Sequence, residues 1–412
     1  MSTQLATRAD TTALQALFKE ARQRRRRRWL AGTAIVALAA TVTTVSAVTL
    51  VHRTPGRTNS GTRQAAAAPA SPSSVAAVWI DDAGGLHVGY LHPGGSVTQR
   101  VAAEVNADTL PLAQADGRVY WVDPAGTFVP ALGHWSQVVR YLDVATGAVG
   151  TAGAGQTVFL SADGRDLFMS QTATTLTETP VTGSGPVRSL TLPRGWYLPG
   201  GDGLADLFSG AGLATANGIV VQSQTGPGPG GLILGLWDPG RGRVAVIGRA
   251  RAVVDAYTPP GAGYSLLAWL PAGCRAAGGC PLTITNTATM AARSVRSPLP
   301  GGFAMGGAFS PAGSSGARLA VFLNAGSGIT GRLALVDPAT GEMRIAPRPG
   351  LPLGEDIAWA RWLPGGAQLI AGAADGGSYL VTAATLSATP LVAAPGSAAG
   401  INYTTAIVPL RR

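Results

Sequence analysis

The chain is short of the residues that most often carry chemistry. Its 412 residues include two cysteines, four histidines and one lysine, Lys19, and charged side chains make up 13% of it. Two cysteines cannot build a metal cluster without other ligands, and His52, His87, His92 and His134 show no ligand spacing. A Gly-x-Ser-x-Gly elbow, a phosphate-cradling loop ending in Lys and a zinc-protease helix are all missing. The glycine-rich stretch Gly226–Gly231, GPGPGG, lacks the Lys and Ser/Thr that would make it a phosphate cradle, and reads as a hairpin loop. These absences predict no enzyme, no cofactor and no metal.

Long apolar runs are equally scarce, with one exception. Trp29–Val51 runs for 23 residues without a formal charge. As a helix it reaches about 34 Å, enough to cross a hydrocarbon core of about 30 Å. Its N-terminal flank holds Arg8, Lys19, Arg22, Arg24, Arg25, Arg26, Arg27 and Arg28, against Arg53, Arg57 and Arg63 beyond it. Basic residues stay in the cytoplasm, so the expected topology is N-terminus inside and C-terminal bulk outside, with the arginine run at anionic headgroups. The alternative is a secretory signal cut after Val45-Ser46-Ala47, which would release the bulk.

The +10 formal charge belongs to that topology. Residues 1–28 carry eight basic and two acidic side chains, and from Gln64 onward the net charge is +1. A nearly neutral exported part excludes a polyanion-binding domain, so no nucleic-acid partner is expected. The preference for Arg over Lys, with abundant Ala, Gly and Pro, marks a GC-rich genome of actinobacterial type.

Four regions follow: an Arg-rich cytoplasmic segment at 1–28, the span at 29–51, an Ala/Pro/Ser-rich stalk at 52–74 and an extracytoplasmic domain at 75–412. The stalk has too little apolar surface to offset the entropy of ordering. From Val75 the pattern becomes short apolar runs broken by Gly, Pro and Asp, which reads as strands. The clearest unit is GAFSPAG from Gly307, RLAVFL (Arg318–Leu323), RLALVDPATG (Arg332–Gly341) and EMRIA (Glu342–Ala346), four strands in antiparallel succession. Its last hairpin recurs with turn centres at Pro93, Ala145, Val181, Pro239, Ala288, Ala339 and Ala384, about 48 residues apart, the length of a four-stranded blade.

VFLSADGRDLFMS (Val158–Ser170), AFSPAGSSGARLAVFL (Ala308–Leu323) and ARWLPGGAQLIAGA (Ala360–Ala373) share an apolar run, a polar turn with Gly and a strand. These stretches resemble the F-S-P-D-G turn of TolB-like and WD-repeat-like β-propellers. Ala312 stands where those families have Asp, and no Gly-His or Trp-Asp pair recurs, so no partner-binding residue carries over. The expected fold is an all-β propeller of four-stranded antiparallel sheets, with seven blades or alternatively six. The first blade shows only three strands, whereas Ile401–Leu410 is a strand with no later partner. Pairing the two closes the ring.

Cys274 and Cys280, in a small-residue loop, are expected to form a disulfide that staples it. Acidic candidates are Asp81 with Asp82, Asp202 with Asp206, and Glu355 with Asp356, while Asp123, Asp143, Asp238 and Asp337 read as turn residues. The tryptophans read as core between blades. The functional expectation is a membrane-anchored binding or scaffolding module for an envelope protein, peptide or glycan. The alternatives are a hydrolase with carboxylates at the propeller channel, or a sensor signalling through the Arg-rich N-terminus.

Overall fold

A computed structural model describes most of residues 75–409. Residues 1–74 and 410–412 lie outside the described residues, as do 81–84, 92–95, 105–112, 124–127, 130–133, 136, 200–212, 224–231, 274–279, 300, 312–315, 325–330, 348–356, 374–376 and 394–405. The cytoplasmic segment with Arg22 and Arg24–Arg28, the 29–51 span and the stalk therefore fall outside them. Among the described residues no helix is long and apolar enough to cross a membrane.

Every described element is a strand. β1 (Val75–Ile80), β2 (Gly85–Leu91) and β3 (Ser96–Glu104) begin the first sheet; β4 (Ala113–Ala115), β5 (Arg118–Asp123), β8 (Val138–Asp143) and β9 (Val149–Ala154) form the second. A small hairpin, β6 (Phe128–Val129) and β7 (His134–Trp135), sits between β5 and β8 in sequence. The third sheet is β10 (Thr157–Leu160), β11 (Asp166–Thr172), β12 (Thr175–Pro180) and β13 (Arg188–Thr191).

The fourth sheet has seven strands: β14 (Ala214–Thr215), β15 (Gly218–Ser223), β16 (Leu232–Asp238), β17 (Arg243–Tyr257), β18 (Leu266–Pro271), β19 (Leu282–Asn286) and β20 (Ala292–Val295). Its middle strand, β17, pairs with β16 through its first half and with β18 through its second, with register shifts between Ala250 and Ala252 and between Val253 and Asp255. It is thus the last strand of one four-stranded unit and the first of the next. The fifth sheet is β21 (Gly302–Phe309), β22 (Leu319–Asn324), β23 (Arg332–Val336) and β24 (Met343–Ile345), and the sixth is β25 (Ile357–Trp362), β26 (Gln368–Ala373), β27 (Ser378–Thr382) and β28 (Ser387–Pro390).

The chain then returns to the first sheet twice. β29 (Val392–Ala393) adds in parallel to the outer edge of β3, and β30 (Ala406–Pro409) pairs antiparallel with β1 in the register Val78↔Ala406 to Val75↔Pro409. The C-terminal strand completes the first sheet, as the three-strand count implied. The parallel addition of β29 was not in the sequence reading.

The core follows the same circuit. Successive sheets share apolar clusters: first with second around Trp121 and Val408, second with third around Tyr120 and Leu167, and third with fourth around Phe159 and Trp237. The circuit continues from fourth to fifth around Phe309 and Leu282, from fifth to sixth around Phe322 and Trp362, and from sixth back to first around Trp359 and Trp79. Each sheet is covered on both faces, so central strands such as VAAVWI and RVYWVD are near-continuous apolar runs, whereas the outer β9, VGTAGA, is largely exposed. This all-β arrangement of four-stranded antiparallel units is consistent with a β-propeller.

The recurrent hairpins obey one rule. In five turns between third and fourth strands the fifth residue donates its N–H to the carbonyl of the first at 2.8 Å: Gly147 to Asp143, Gly242 to Asp238, Met290 to Asn286, Gly341 to Asp337 and Leu386 to Thr382. That fifth residue takes a positive φ in each, 77°, 63°, 59°, 78° and 55° respectively. Four of the five start with Asp or Asn, whose side chain caps the turn, as where Asp143 accepts the N–H of Thr146 at 2.9 Å and Asp337 that of Ala339 at 2.7 Å.

Met290 and Leu386 hold the left-handed conformation without being glycine, which costs an L-residue about 1 kcal/mol. Met290 is 36% exposed and loses little packing on replacement, so Met290→Gly should stabilise the protein by up to about 1 kcal/mol. Leu386 is 3% exposed in the core of the fifth and sixth sheets, and removing it forfeits about 1.5–3 kcal/mol of burial. Leu386→Gly should therefore destabilise despite relieving the backbone. Thermal melts of the two variants check the opposite signs.

Candidate functional site

The first strand of each four-stranded unit is the one that meets its counterpart in the next. β14 packs against β17, β17 against β21, β21 against β25, β25 against β30, β30 against β4 and β4 against β10. This succession of contacts is the one that the inner strands of a β-propeller make. Their sequences are mostly small and apolar: AQA in β4, TVFL in β10, AT in β14, AVVDAY at the end of β17, GFAMGGAF in β21, IAWARW in β25 and AIVP in β30. Two charged side chains stand among them, Asp255 and Arg361.

Both charges flank β21. Asp255 Oδ2 accepts the N–H of Phe309 at 2.7 Å, which ties β17 to β21, and the adjacent N–H of Ala256 also serves this carboxylate. On the other side Trp362 of β25 donates its indole N–H to Ala308 O at 2.8 Å. Arg361 Nη1 donates to Ala360 O at 2.8 Å, and its charge acts on Asp255 although β21 lies between their strands. Both residues are half-buried.

The electrostatics follow from that setting. Burial pushes the Asp255 carboxyl up to about 6, against the pull of the two backbone N–H groups and Arg361. Burial lowers Arg361 as well, and Asp255 partly restores it. A carboxyl poised near 6 beside a permanent cation can hold or release a proton near neutral pH, the behaviour required of an acid–base group or of a site coupling ligand binding to protonation.

The positions singled out in the sequence distribute differently. Asp81, Asp82, Asp202, Asp206, Glu355, Asp356 and Cys274 lie outside the described residues. Cys280 is 5% exposed, in the lead-in to β19. Asp143, Asp238 and Asp337 cap turns, and Asp123 pairs with Arg140 on the neighbouring strand at 2.7 Å. Trp79, Trp121, Trp237, Trp269, Trp359 and Trp362 are buried, Trp79 stacked on His87. Trp359 lies so close over Gly372, its cross-strand partner, that a Cβ there would come within 2.0 Å of the indole. No group of three His, Cys, Asp or Glu that could hold a metal occurs among the described residues. Neither Asp255 nor Arg361 was singled out in the sequence; the available signal was a charge inside an apolar run, AVVDAY for Asp255 and IAWARW for Arg361.

No family model and no curated protein matches the chain. Similar solved structures include TolB from Acinetobacter baumannii, at 11% identity over 81% of this chain with TM-score 0.43. The match spans 66% of that TolB, so this chain covers about two thirds of its length. Others are the periplasmic gluconolactonase PpgL of Pseudomonas aeruginosa, at 15% identity over 82% of this chain and 100% of that one with TM-score 0.49, and an oligogalacturonate lyase in complex with manganese, at 14% over 80% and 86% with TM-score 0.46. The expectation that the chain is not an enzyme is withdrawn: a gluconolactonase and a lyase are among the structures of similar fold, and the fold does not decide between the two classes. The missing linear motifs carried that expectation, and they are a poor guide in a fold that can bring together residues from distant parts of the chain. At the level of the fold, the TolB-like β-propeller resemblance holds.

Proposed function

We propose that this protein is a membrane-anchored envelope module whose propeller binds a protein, peptide or glycan ligand at its axis, through Asp255 and Arg361. One observation carries the reading. An ionisable pair in an apolar ring destabilises the fold relative to apolar side chains of similar size, and such pairs concentrate where a protein does its work. The domain has seven blades in this reading, which the double pairing of β17 supports. Residues 1–28 are the cytoplasmic segment, with the arginine run at the headgroups; 29–51 is the span, 52–74 the stalk and 75–412 the exported domain. Cys274 and Cys280 staple one loop of that domain.

A second reading has its own support. A carboxyl near 6 is suited to proton transfer at envelope pH, so Asp255 as the acid–base group of a hydrolase is the alternative.

Crosslinking in intact cells tests the binding role. The full chain should capture a defined envelope partner, and the Asp255→Ala/Arg361→Ala double variant, present at equal level, should lose it. Undiminished capture by the double variant would overturn the axial reading. A periplasm-active phosphatase fused after Arg412 should be active; activity only of a cytosol-dependent reporter at that position would overturn the topology.

A further inference from the structure

The outer cleft between β13 and the first half of β17 joins an apolar floor to unsatisfied cations. On β16 the alternate residues Ile233, Gly235 and Trp237 share one face, and their partners on β17 are Arg249, Val246 and Val244. The Trp196 ring lies on that face, so close that a Cβ on Gly235 would come within 2.6 Å of it. Trp196, Val244 and Leu190 of β13 pack, partly buried, against one apolar cluster and form the floor. Above it Val246 is 60% exposed.

Elsewhere the outer strands find partners for their arginines within the chain. Arg188 pairs with Glu178 at 3.2 Å, and Arg293 and Arg344 each donate at 2.6 Å to a turn carbonyl, Thr340 O and Ala384 O respectively. Arg249 and Arg251 are exposed and have no hydrogen-bond or ion-pair partner among the described residues. The sequence from Arg243 to Val254 has no acidic residue, and neither do the connections into β16 (224–231) and out of β18 (272–281), which belong to the same end. Charge on an outer strand deters edge pairing, which accounts for Arg249 on the open half of β17. It does not account for Arg251, where β18 already covers the strand.

We propose that this cleft docks an extended acidic segment of a protein partner, with an apolar side chain over Val246 and Trp196 and carboxylates at Arg249 and Arg251. A guanidinium fork takes a carboxylate in a bidentate pair. In a domain whose net charge from Gln64 onward is +1, two unpaired cations beside an apolar floor select a partner of opposite sign. The surface lies on outer strands, so it is separate from the axial pair and stands or falls independently of it. Asp202 and Asp206, in the connection after Trp196, lie outside the described residues, and the experiment includes them.

Fluorescence anisotropy of labelled, amidated Leu-Ser-Glu-Ser-Glu with the full chain in neutral detergent tests the proposal. An extended chain places that leucine and both glutamates on one face. The peptide should bind about tenfold tighter than Leu-Ser-Gln-Ser-Gln, and the Arg249→Gln/Arg251→Gln variant, altered only at exposed positions, should lose about tenfold. Val246→Ser should weaken binding about threefold, and raising salt from about 50 to about 300 mM should weaken it severalfold. Asp202→Asn/Asp206→Asn should bind as the unsubstituted chain does. Binding seen only in that variant would mean that the arginines already have partners, and overturns the proposal. Equal binding of the glutamine peptide, or undiminished binding by the double arginine variant, also overturns it. So does an inert acidic peptide: an arginine-dependent dimer in sedimentation would then assign the cleft to a second copy, and arginine-dependent binding of phosphatidylglycerol bicelles would assign it to a lipid surface.

Discussion

Ending the chain at Leu391, which removes β29 and β30, should abolish the folded state. Ile407 and Val408 are 7% and 0% exposed, on opposite sides of β30, one in the cluster shared with the sixth sheet and the other in the cluster shared with the second. Their burial alone contributes about 3–6 kcal/mol, comparable to the whole stability of many domains, about 5–15 kcal/mol. The truncation also strips β1 of its pairing from Val75 to Val78 and leaves an apolar edge strand open to other chains. The expected outcome is an aggregated or protease-sensitive chain with no cooperative melt. Val408→Asp, which places an unpaired charge in the same core, should approach that loss with every strand still present. A truncated protein that melts within a few degrees of the full chain would show that the ring does not depend on its clasp.

The second large effect concerns pH, and its sign is unusual. The protein should gain stability as the pH is lowered from 7.5 to about 4.5. Burial pushes the Asp255 carboxyl from its ordinary value of 3.8 up to about 6 in the folded chain. Between those limits the folded chain holds a proton that the unfolded chain releases, so stability rises as pH falls through 6 and is fully gained near 4. The gain over that range is about 2 kcal/mol, or about 3 °C in the melting temperature of a domain this size. Below pH 4 the trend reverses. Asp143, held low by the N–H of Thr146, and Asp163, held low by the Ser161 hydroxyl, contribute stability that is lost as they protonate. Melts from pH 4.5 to 7.5 should show the slope in the unsubstituted protein and a flattened one in Asp255→Asn. Stability that rises steadily toward pH 7.5 would contradict the burial of this carboxyl.

Much of the fold was legible because hairpin chemistry is local. Asp143, Asp238 and Asp337 announce turns by residue type, and the spacing of the hairpin turn centres gives the period of the units. The closing strand was legible by deficit, since a first unit with three strands needs a fourth. Other features left no local trace. β29 is two residues long and takes its place only once β3 is present. The continuation of β17 through Arg249 and Arg251 carries no Gly or Pro to mark a change of unit. Met290 and Leu386 occupy positions where glycine would have been expected, so their backbone conformation is set by the turn around them rather than by their own preference. The axial pair was illegible for a different reason. Asp255 and Arg361 belong to strands separated by a whole four-stranded unit, and their mutual influence arises only in the folded chain.

Direct titration of the Asp255 carboxyl carbon by NMR, in aspartate-labelled full chain and assigned by its absence from Asp255→Asn, probes that convergence most closely. A midpoint near 6 that climbs further in Arg361→Met is expected, because removing the cation leaves burial unopposed by it. A midpoint near 3.8, or one unmoved by the loss of Arg361, would mean that this carboxyl is neither buried nor under the influence of Arg361.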